Sequence, residues 1–145
     1  MKRDIFIIVI IIIFASAMVI TLRNPCESDG YSDDNPVLDA VRHNFSLLNP
    51  KYANIPLREG DSAYTENKRT ITLCIKNPET GKNYSMNTIM YVALQELAHV
   101  VSKTKGHNEE FRRNFTILLK EAARIGIYNP GKEIPQTYCG VGPND

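Results

Sequence analysis

The amino-acid sequence predicts a small α+β domain, in the order helix, strand hairpin, helix, helix, preceded by one transmembrane helix. Apolar residues recur at helical spacing in three stretches, and between the first two a short stretch alternates apolar and polar residues as a half-buried strand does. An apolar run near the amino terminus predicts the transmembrane helix. A chain of 145 residues has room for one such domain.

The apolar run covers residues 5–22 and contains no charged side chain. A helix of that length reaches about 27 Å, close to the roughly 30 Å hydrocarbon core of a bilayer. A cleavable signal peptide is the alternative, since Ala15-Ser16-Ala17 is similar to a cleavage site, but this triplet lies inside the run. We therefore predict a cytosolic amino terminus at 1–4, an uncleaved signal anchor at 5–22, a polar linker at 23–35 and the domain at 36–145.

The charges that flank the run predict its orientation. Lys2 and Arg3 precede it and mainly acidic residues follow it, which favours a cytosolic amino terminus and a lumenal or extracellular domain. Three Asn-x-Ser/Thr sequons, at Asn44, Asn83 and Asn114, are compatible with that compartment. The net charge of +1 gives no field that would attract nucleic acid, so no such partner is predicted.

The three cysteines leave the redox state open. Cys26, Cys74 and Cys139 are too far apart in sequence for a Cys-x-x-Cys metal or redox motif. A Cys74–Cys139 disulfide fits a lumenal domain, and three unrelated thiols, with Cys74 buried in a strand, are the alternative.

Caps and breakers bound the predicted elements. Asn35-Pro36 starts the first helix and Asn49-Pro50 ends it, while His43 lies off the apolar face as a solvated residue. Alternation predicts a strand at 70–76, with residues 62–65 as a short hairpin arm.

Two further helices are predicted after the strand. The first begins near Ser85 to Asn87, either of which can cap it, and the pattern breaks at Gly106. Asn108 is a good cap for the second, and Gly126 ends it.

Residues 95–99 read Gln-Glu-Leu-Ala-His, one residue short of the His-Glu-x-x-His pattern of zinc peptidases. On a helix, Gln95 and His99 point from one face toward a shared metal, and Glu96 is placed to reach a metal-bound water. His107 follows after a short loop as a further ligand candidate. A catalytic zinc site needs three protein ligands and an open position for water, and the amide oxygen of Gln95 is a poor zinc ligand.

In a site of this kind, zinc polarises the scissile carbonyl and the glutamate deprotonates water. The metal lowers the pKa of the water to about 7, so a carboxylate can act as the base. A strand such as 70–76 is expected to border the cleft and to pair with an extended peptide. The predicted partners are a peptide or protein in the cleft and the membrane through residues 5–22. The predicted cofactor is Zn²⁺, weakly bound or absent if Gln95 cannot ligate.

The chain resembles the WLM and SprT-like zinc metallopeptidases, which share a helix with His-Glu-Leu-Ala-His, a short loop and Gly-His-x-x-x-Phe opening the next helix. The corresponding residues here are 91–99 and 106–111. It is also similar to membrane-anchored members of this group from large DNA viruses, which have an Asn-Lys-x-x-Ile-x-Leu-Cys strand and a Tyr-Cys-Gly tail, here 67–74 and 138–140. The resemblance covers approximately residues 36 to 140.

The resemblance implies a zincin-like fold, zinc ligation by His99 and His107, general-base work by Glu96, and a histidine where this chain has Gln95. It implies a membrane-anchored zinc-dependent metallopeptidase, with activity impaired by Gln95. The alternative is a catalytically inactive zincin-fold protein with a binding or structural role at the membrane. Tyr138 is predicted to be a packed aromatic rather than a residue that stabilises an oxyanion.

Overall fold

The computed structural model describes residues 34–140. The predicted amino terminus at 1–4, the predicted transmembrane helix at 5–22, all but the last two residues of the predicted linker at 23–35, and Cys26 lie outside the described residues, as do residues 141–145. Within residues 34–140, no helix combines the length and the apolar character needed to cross a membrane.

The described residues form a small α+β domain in the predicted order, with one additional strand and one short helix. The elements are α1 (Pro36–Leu48), a 3₁₀ helix (Pro50–Asn54), β1 (Leu57–Glu59), β2 (Tyr64–Glu66), β3 (Thr70–Leu73), α2 (Met86–Val101) and α3 (Glu109–Arg124).

The three strands form one mixed sheet in the order β1-β3-β2. The antiparallel pair of β2 and β3 is the predicted hairpin, with Tyr64 opposite Thr72. β1 lies parallel to β3 on its other side, with Leu57 opposite Ile71. The sequence did not predict β1, because three residues are too few for a readable alternation. β3 is therefore the central strand.

Asn67 and Lys68 make a tight turn between β2 and β3. Their φ angles are 51° and 57°, and the N–H of Arg69 donates to the carbonyl of Glu66 at 3.0 Å. Such a turn favours Asn at its first position and Gly at its second. Asn67 follows this preference, whereas Lys68 adopts a left-handed conformation that costs a non-glycine residue about 1–2 kcal/mol.

Each α-helix begins at a side-chain cap that the sequence predicted. The side-chain oxygens of Asn35, Ser85 and Asn108 accept N–H groups of the first turn at 2.9, 3.1 and 3.0 Å. Such caps are worth about 1 kcal/mol each. Gly126, with φ 82°, follows the end of α3.

α2 is the central helix of the domain, since it contacts α1, α3, β2 and β3. It is buried on most of its circumference, which is typical of a core helix. This packing fixes the position of the polar residues that α2 carries. The largest fully buried side chains of the core are Phe45, Leu38, Leu57, Ile71, Leu73, Ile75, Ile89, Met90, Leu94, Leu97 and Val41.

A disulfide joins Cys74 to Cys139, with the two Cα atoms 6.3 Å apart, so the first of the two cysteine alternatives is the one observed. The carboxyl-terminal tail is thereby fixed beside the end of β3. Tyr138 packs on Tyr84 with ring centroids 4.7 Å apart, and its hydroxyl donates a hydrogen bond to the carbonyl of Cys74. Tyr138 is thus a packed aromatic.

Candidate active site

The structure brings His99 and His107 together. His99 lies in the last turn of α2, and His107 lies in the loop that leads to α3. Their Nε2 atoms are 3.0 Å apart. Gly106, with φ 80°, provides the left-handed conformation that turns the loop before His107. Two imidazole nitrogens therefore converge on one point.

Phe111 forms a ring platform under this pair. Its ring stacks on His99 at a centroid distance of 4.3 Å and lies 4.6 Å from the ring of His107. Phe111 is itself buried in the first turn of α3. The sequence assigned Phe111 to the apolar face of a helix and to the Gly-His-x-x-x-Phe pattern, without this contact to both histidines.

Glu96 is 6% exposed. Its Oε2 accepts a hydrogen bond from the hydroxyl of Thr65 on β2 at 2.7 Å, and the same hydroxyl lies 3.0 Å from the Glu96 carbonyl oxygen. Burial raises the pKa of the Glu96 carboxyl above its ordinary value of 4.5, and the Thr65 hydrogen bond partly offsets this rise. A carboxylate in this setting is a stronger base than an exposed one. Nothing in the sequence pointed to Thr65.

Gln95 is half-buried and lines the same cleft as Glu96, His99 and His107. In a tetrahedral site with bonds of about 2.0–2.1 Å, two nitrogen ligands lie about 3.3 Å apart, so the histidine pair needs only a small outward shift. The third donor is an amide, which zinc rarely uses. Within residues 34–140, no three His, Cys, Asp or Glu side chains are grouped to hold a metal ion. The donor set fits zinc through its two imidazoles and departs from it at Gln95.

The charge state of His99 favours the neutral imidazole. Burial, and then the positive charges of His107 and Lys68, lower the pKa of His99 below its ordinary value of 6.5. A neutral ring is the form that coordinates metal ions.

A cleft of about 630 Å³ surrounds these residues. It lies between β2 with its turn, the polar side of α2, and the loop before α3. The sequence expectation assigned the strand beside the cleft to 70–76, but β3 is paired on both sides and does not line the cleft. β2 takes that place, because it is the edge strand on the α2 side. The lining residues that carry polar groups include Thr65, Lys68, Gln95, Glu96, His99 and His107.

The loop that carries His107 is held by three charged side chains. The Arg112 guanidinium donates to the His107 carbonyl at 3.1 Å, and Lys68 and Glu110 hold the residues at the start of the loop. The Lys68 ammonium donates to the carbonyls of Ser102, Lys103 and Thr104 at 2.6, 2.6 and 2.7 Å. The Glu110 carboxylate accepts from the N–H groups of Lys103 and Thr104 at 3.0 and 3.1 Å and from the Thr104 hydroxyl at 2.6 Å. The hydrogen bond from the Thr104 hydroxyl has the largest effect, and together these bonds lower the pKa of Glu110 to about 2.

Tyr138 and His43, which the sequence predicted to be a packed aromatic and a solvated surface residue, lie outside the site. Tyr138 does not line the cleft, and burial raises the pKa of its phenol further above the ordinary value. His43 is exposed on α1 and does not line the cleft either.

The fold and the cleft define a small α+β domain with a two-histidine site. The domain is similar to Wss1 from Saccharomyces cerevisiae, with a TM-score of 0.55 and 19% sequence identity over 62% of this chain and 77% of that one. At this identity the likeness shows the fold alone. It confirms the α+β class and supports the WLM-like fold that the sequence implied.

The chain is also similar to viral proteins. It is 38% identical over 99 residues to the uncharacterized protein 136R of Invertebrate iridescent virus 6 and 36% identical over 90 residues to the uncharacterized protein 042R of Invertebrate iridescent virus 3. It is 34% identical over 113 residues to the uncharacterized protein R325 of Acanthamoeba polyphaga mimivirus. The matches cover 66%, 62% and 77% of this chain, which spans 56%, 57% and 57% of the relatives' own lengths. No protein-family model matches the chain.

Proposed function

We propose that this chain is a membrane-anchored, zinc-dependent metallopeptidase whose hydrolytic activity is impaired by Gln95. The observation that carries the proposal is the convergence of three side chains in one cleft. His99 and His107 have their Nε2 atoms 3.0 Å apart, and the buried Glu96 lines the same space. The similarity in fold to Wss1 supports a protease-like domain.

Each residue of the site has a role in this proposal. His99 and His107 would hold a zinc ion, which when bound would polarise a peptide carbonyl and activate water. Glu96 accepts the proton that the attacking water loses, and its raised pKa suits it to that task. Thr65 fixes the orientation of the Glu96 carboxylate through the hydrogen bond to Oε2.

Gln95 limits the site in two ways. A neutral amide donates less charge to a metal than an imidazole does, so two histidines and one glutamine hold zinc more weakly than three histidines. Glu96 would then lack an activated water to deprotonate for part of the time. We therefore expect low zinc occupancy and slow hydrolysis.

An extended peptide backbone is the ligand class that β2 supports. Among the strands of residues 34–140, β2 pairs only with β3, so its other edge keeps backbone N–H and C=O groups that an added strand can use. Ala63, Tyr64 and Thr65 line the cleft from this strand and the residue before it. A peptide added there reaches the histidine pair through its backbone, which gives little selectivity for side chains.

A non-catalytic peptide-binding module is the second candidate, and Gln95 is the observation that favours it. The cleft, the edge strand and the ring platform of Phe111 need no metal. A domain with this cleft and no zinc would hold a peptide without cleaving it.

We further propose that residues 5–22 anchor the chain in a membrane, with the domain on the lumenal or extracellular side. The disulfide between Cys74 and Cys139 supports an oxidising compartment, since disulfides form and persist there. The net charge of +1 supports the absence of a nucleic-acid partner.

Zinc analysis of the purified full chain tests the proposed function. Gln95→His should bind one zinc ion per chain and cleave an unstructured peptide, while the wild type should bind zinc more weakly. Adding Glu96→Gln to Gln95→His should keep the zinc and lower cleavage by about 10²- to 10⁴-fold. Zinc without cleavage in Gln95→His would favour the binding module. A metal-free Gln95→His would rule out the site assignment.

A further inference from the structure

We propose that Lys68 and Glu110 are positioning residues that hold the loop 102–107 from two sides and thereby set the approach of His107 to His99. The proposal rests on the proposed function only for the metal-binding role of the two histidines. The loop contacts are independent of any metal ion.

Lys68 binds the carbonyl side of the loop. Its ammonium has three donors, and the carbonyls of Ser102, Lys103 and Thr104 accept at 2.6 to 2.7 Å. Ser102 is the residue that follows α2, so the ammonium lies at the negative end of that helix dipole. Three carbonyl oxygens that would otherwise turn to solvent are thereby drawn to one point.

Glu110 binds the amide side of the same segment. Its two carboxylate oxygens accept the N–H groups of Lys103 and Thr104, and the Thr104 hydroxyl donates as well. Asn108 adds a hydrogen bond from its side-chain amide to the Lys105 carbonyl at 3.2 Å. The peptide unit between Lys103 and Thr104 is therefore held by an anion on its N–H side and a cation on its carbonyl side.

The backbone at Lys68 argues against an incidental contact. Position 68 is the second residue of a two-residue turn, with φ 57°, where glycine is favoured and a lysine is strained. The strained residue is also the one whose side chain spans from the β2–β3 turn to the loop. Backbone strain that persists at one residue indicates that the residue has a local role. For Lys68 that role is to bind the three carbonyl oxygens of the loop.

The loop needs this support because of its own composition. Residues 103–107 are exposed, and Gly106, with φ 80°, adds backbone freedom directly before His107. Stacking on Phe111 and the hydrogen bond from Arg112 to the His107 carbonyl also order the pair. Without Lys68 and Glu110 the start of the loop would be looser, and metal binding would have to supply more of the ordering, at a cost in affinity. A site with Gln95 in place of a strong ligand depends on a preformed pair more than a three-histidine site does.

Hydrogen exchange and NMR of the metal-free full chain test the proposal. Lys68→Met and Glu110→Gln should each speed amide exchange at Lys103 and Thr104 by about 10- to 100-fold. Both should also weaken the through-space NMR contact between the rings of His99 and His107. Glu109→Gln is the matched control, since it removes the same charge from the same helical turn.

Two more variants separate positioning from general stability. Lys68→Gly relieves the backbone strain of the turn, so its melting temperature should be higher than that of Lys68→Met. It should nevertheless loosen the loop as much as Lys68→Met does, because both variants lack the ammonium. Lys68→Arg keeps donors for the carbonyls and should restore the ring contact. In the Gln95→His background, Lys68→Met and Glu110→Gln should lower zinc affinity about 10- to 100-fold, as loss of outer-shell support does.

The outcomes distinguish this proposal from the proposed function. Unchanged exchange and an unchanged ring contact in Lys68→Met and Glu110→Gln would overturn the positioning role. Loss of the whole fold in Lys68→Met and Lys68→Gly, seen by circular dichroism, would also overturn it, because the role would then be structural. A loosened loop in a chain that binds no zinc even as Gln95→His would support positioning and reject the peptidase.

Discussion

At the scale of single residues, burial disfavours the ionised form of the Glu96 carboxyl group. Glu96 is 6% exposed on a core helix, and its Oε2 accepts a hydrogen bond from the hydroxyl of Thr65 at 2.7 Å. Burial of an ionised group without partners is costly, so a residue kept in this setting depends on the donors that reach it. Thr65 therefore has a role beyond its place in β2.

Removing the hydroxyl of Thr65 should destabilise the domain. Thr65→Val keeps the shape of the side chain and deletes the donor, and loss of a hydrogen bond to a buried charged group costs about 1–3 kcal/mol. Urea unfolding of the wild type, Thr65→Val and Thr65→Ser at neutral pH measures this. Thr65→Ser is the matched control because it keeps the hydroxyl. Equal stability of Thr65→Val and Thr65→Ser would mean that Glu96 finds another partner.

At the scale of elements, the loop between α2 and α3 decides where His107 lies. The helices on both sides are fixed by packing and caps, but residues 103–107 are exposed and depend on polar ties. Glu110 supplies those ties from the first turn of α3, where an acidic residue is also favoured by the helix dipole. The helix start and the loop are thus stabilised by the same carboxylate.

The hydrogen bonds of Glu110 to the loop predict that the stability of the domain depends on pH. The folded-state pKa of Glu110, about 2, lies below the ordinary value of 4.5, so its contribution to stability is complete above pH 4.5 and is lost as the pH falls toward 2. NMR titration should find the Glu110 carboxyl and the amide protons of Lys103 and Thr104 changing together near pH 2. Thr104→Val removes the largest cause of the shift and should raise the pKa of Glu110. A wild-type midpoint near 4.5 would contradict the tie.

Features of the fold could be predicted from the sequence where they depend on residues that are close together in the chain. Asn35, Ser85 and Asn108 act within one helical turn, so their caps could be predicted from local order. β1 was missed because a three-residue strand has no readable period, and the strand beside the cleft was misassigned because edge and centre are properties of the whole sheet. The contacts of Lys68 and Thr65 span more than thirty residues, which no local pattern encodes.

The site itself was reached only in part from the sequence. The spacing of Gln95, Glu96, His99 and His107 predicted a shared metal site. The four residues line one cleft, and the metal itself stays a prediction. The residues that hold these four side chains in place could not be predicted. Phe111 gave only an apolar signal, and Glu110 gave only a helix-start signal, because a side chain's partners across a loop depend on the loop's path.

At the scale of the whole molecule, the disulfide and the sequons bear on the same question, namely which compartment the domain occupies. The three sequons are not equivalent in the folded domain. Asn44 and Asn114 are half-buried, and their side-chain amides contact the Met90 sulfur at 3.4 Å and the Ser102 hydroxyl at 2.9 Å. Asn83 is exposed in the segment before α2, where it forms an antiparallel β-bridge with Lys76.

Glycosylation should therefore be confined to Asn83 if the domain is lumenal. A glycan needs a solvent-exposed asparagine, and one on Asn44 or Asn114 would displace a contact of α2 or of the residue that follows it. The full chain expressed in eukaryotic cells should show one glycosidase-sensitive mobility shift, which Asn83→Gln removes and which Asn44→Gln and Asn114→Gln leave in place. A shift that depends on Asn44 or Asn114 would contradict their packing. No shift in any variant would contradict the lumenal orientation, and the disulfide between Cys74 and Cys139 would then need an oxidising environment other than the secretory pathway.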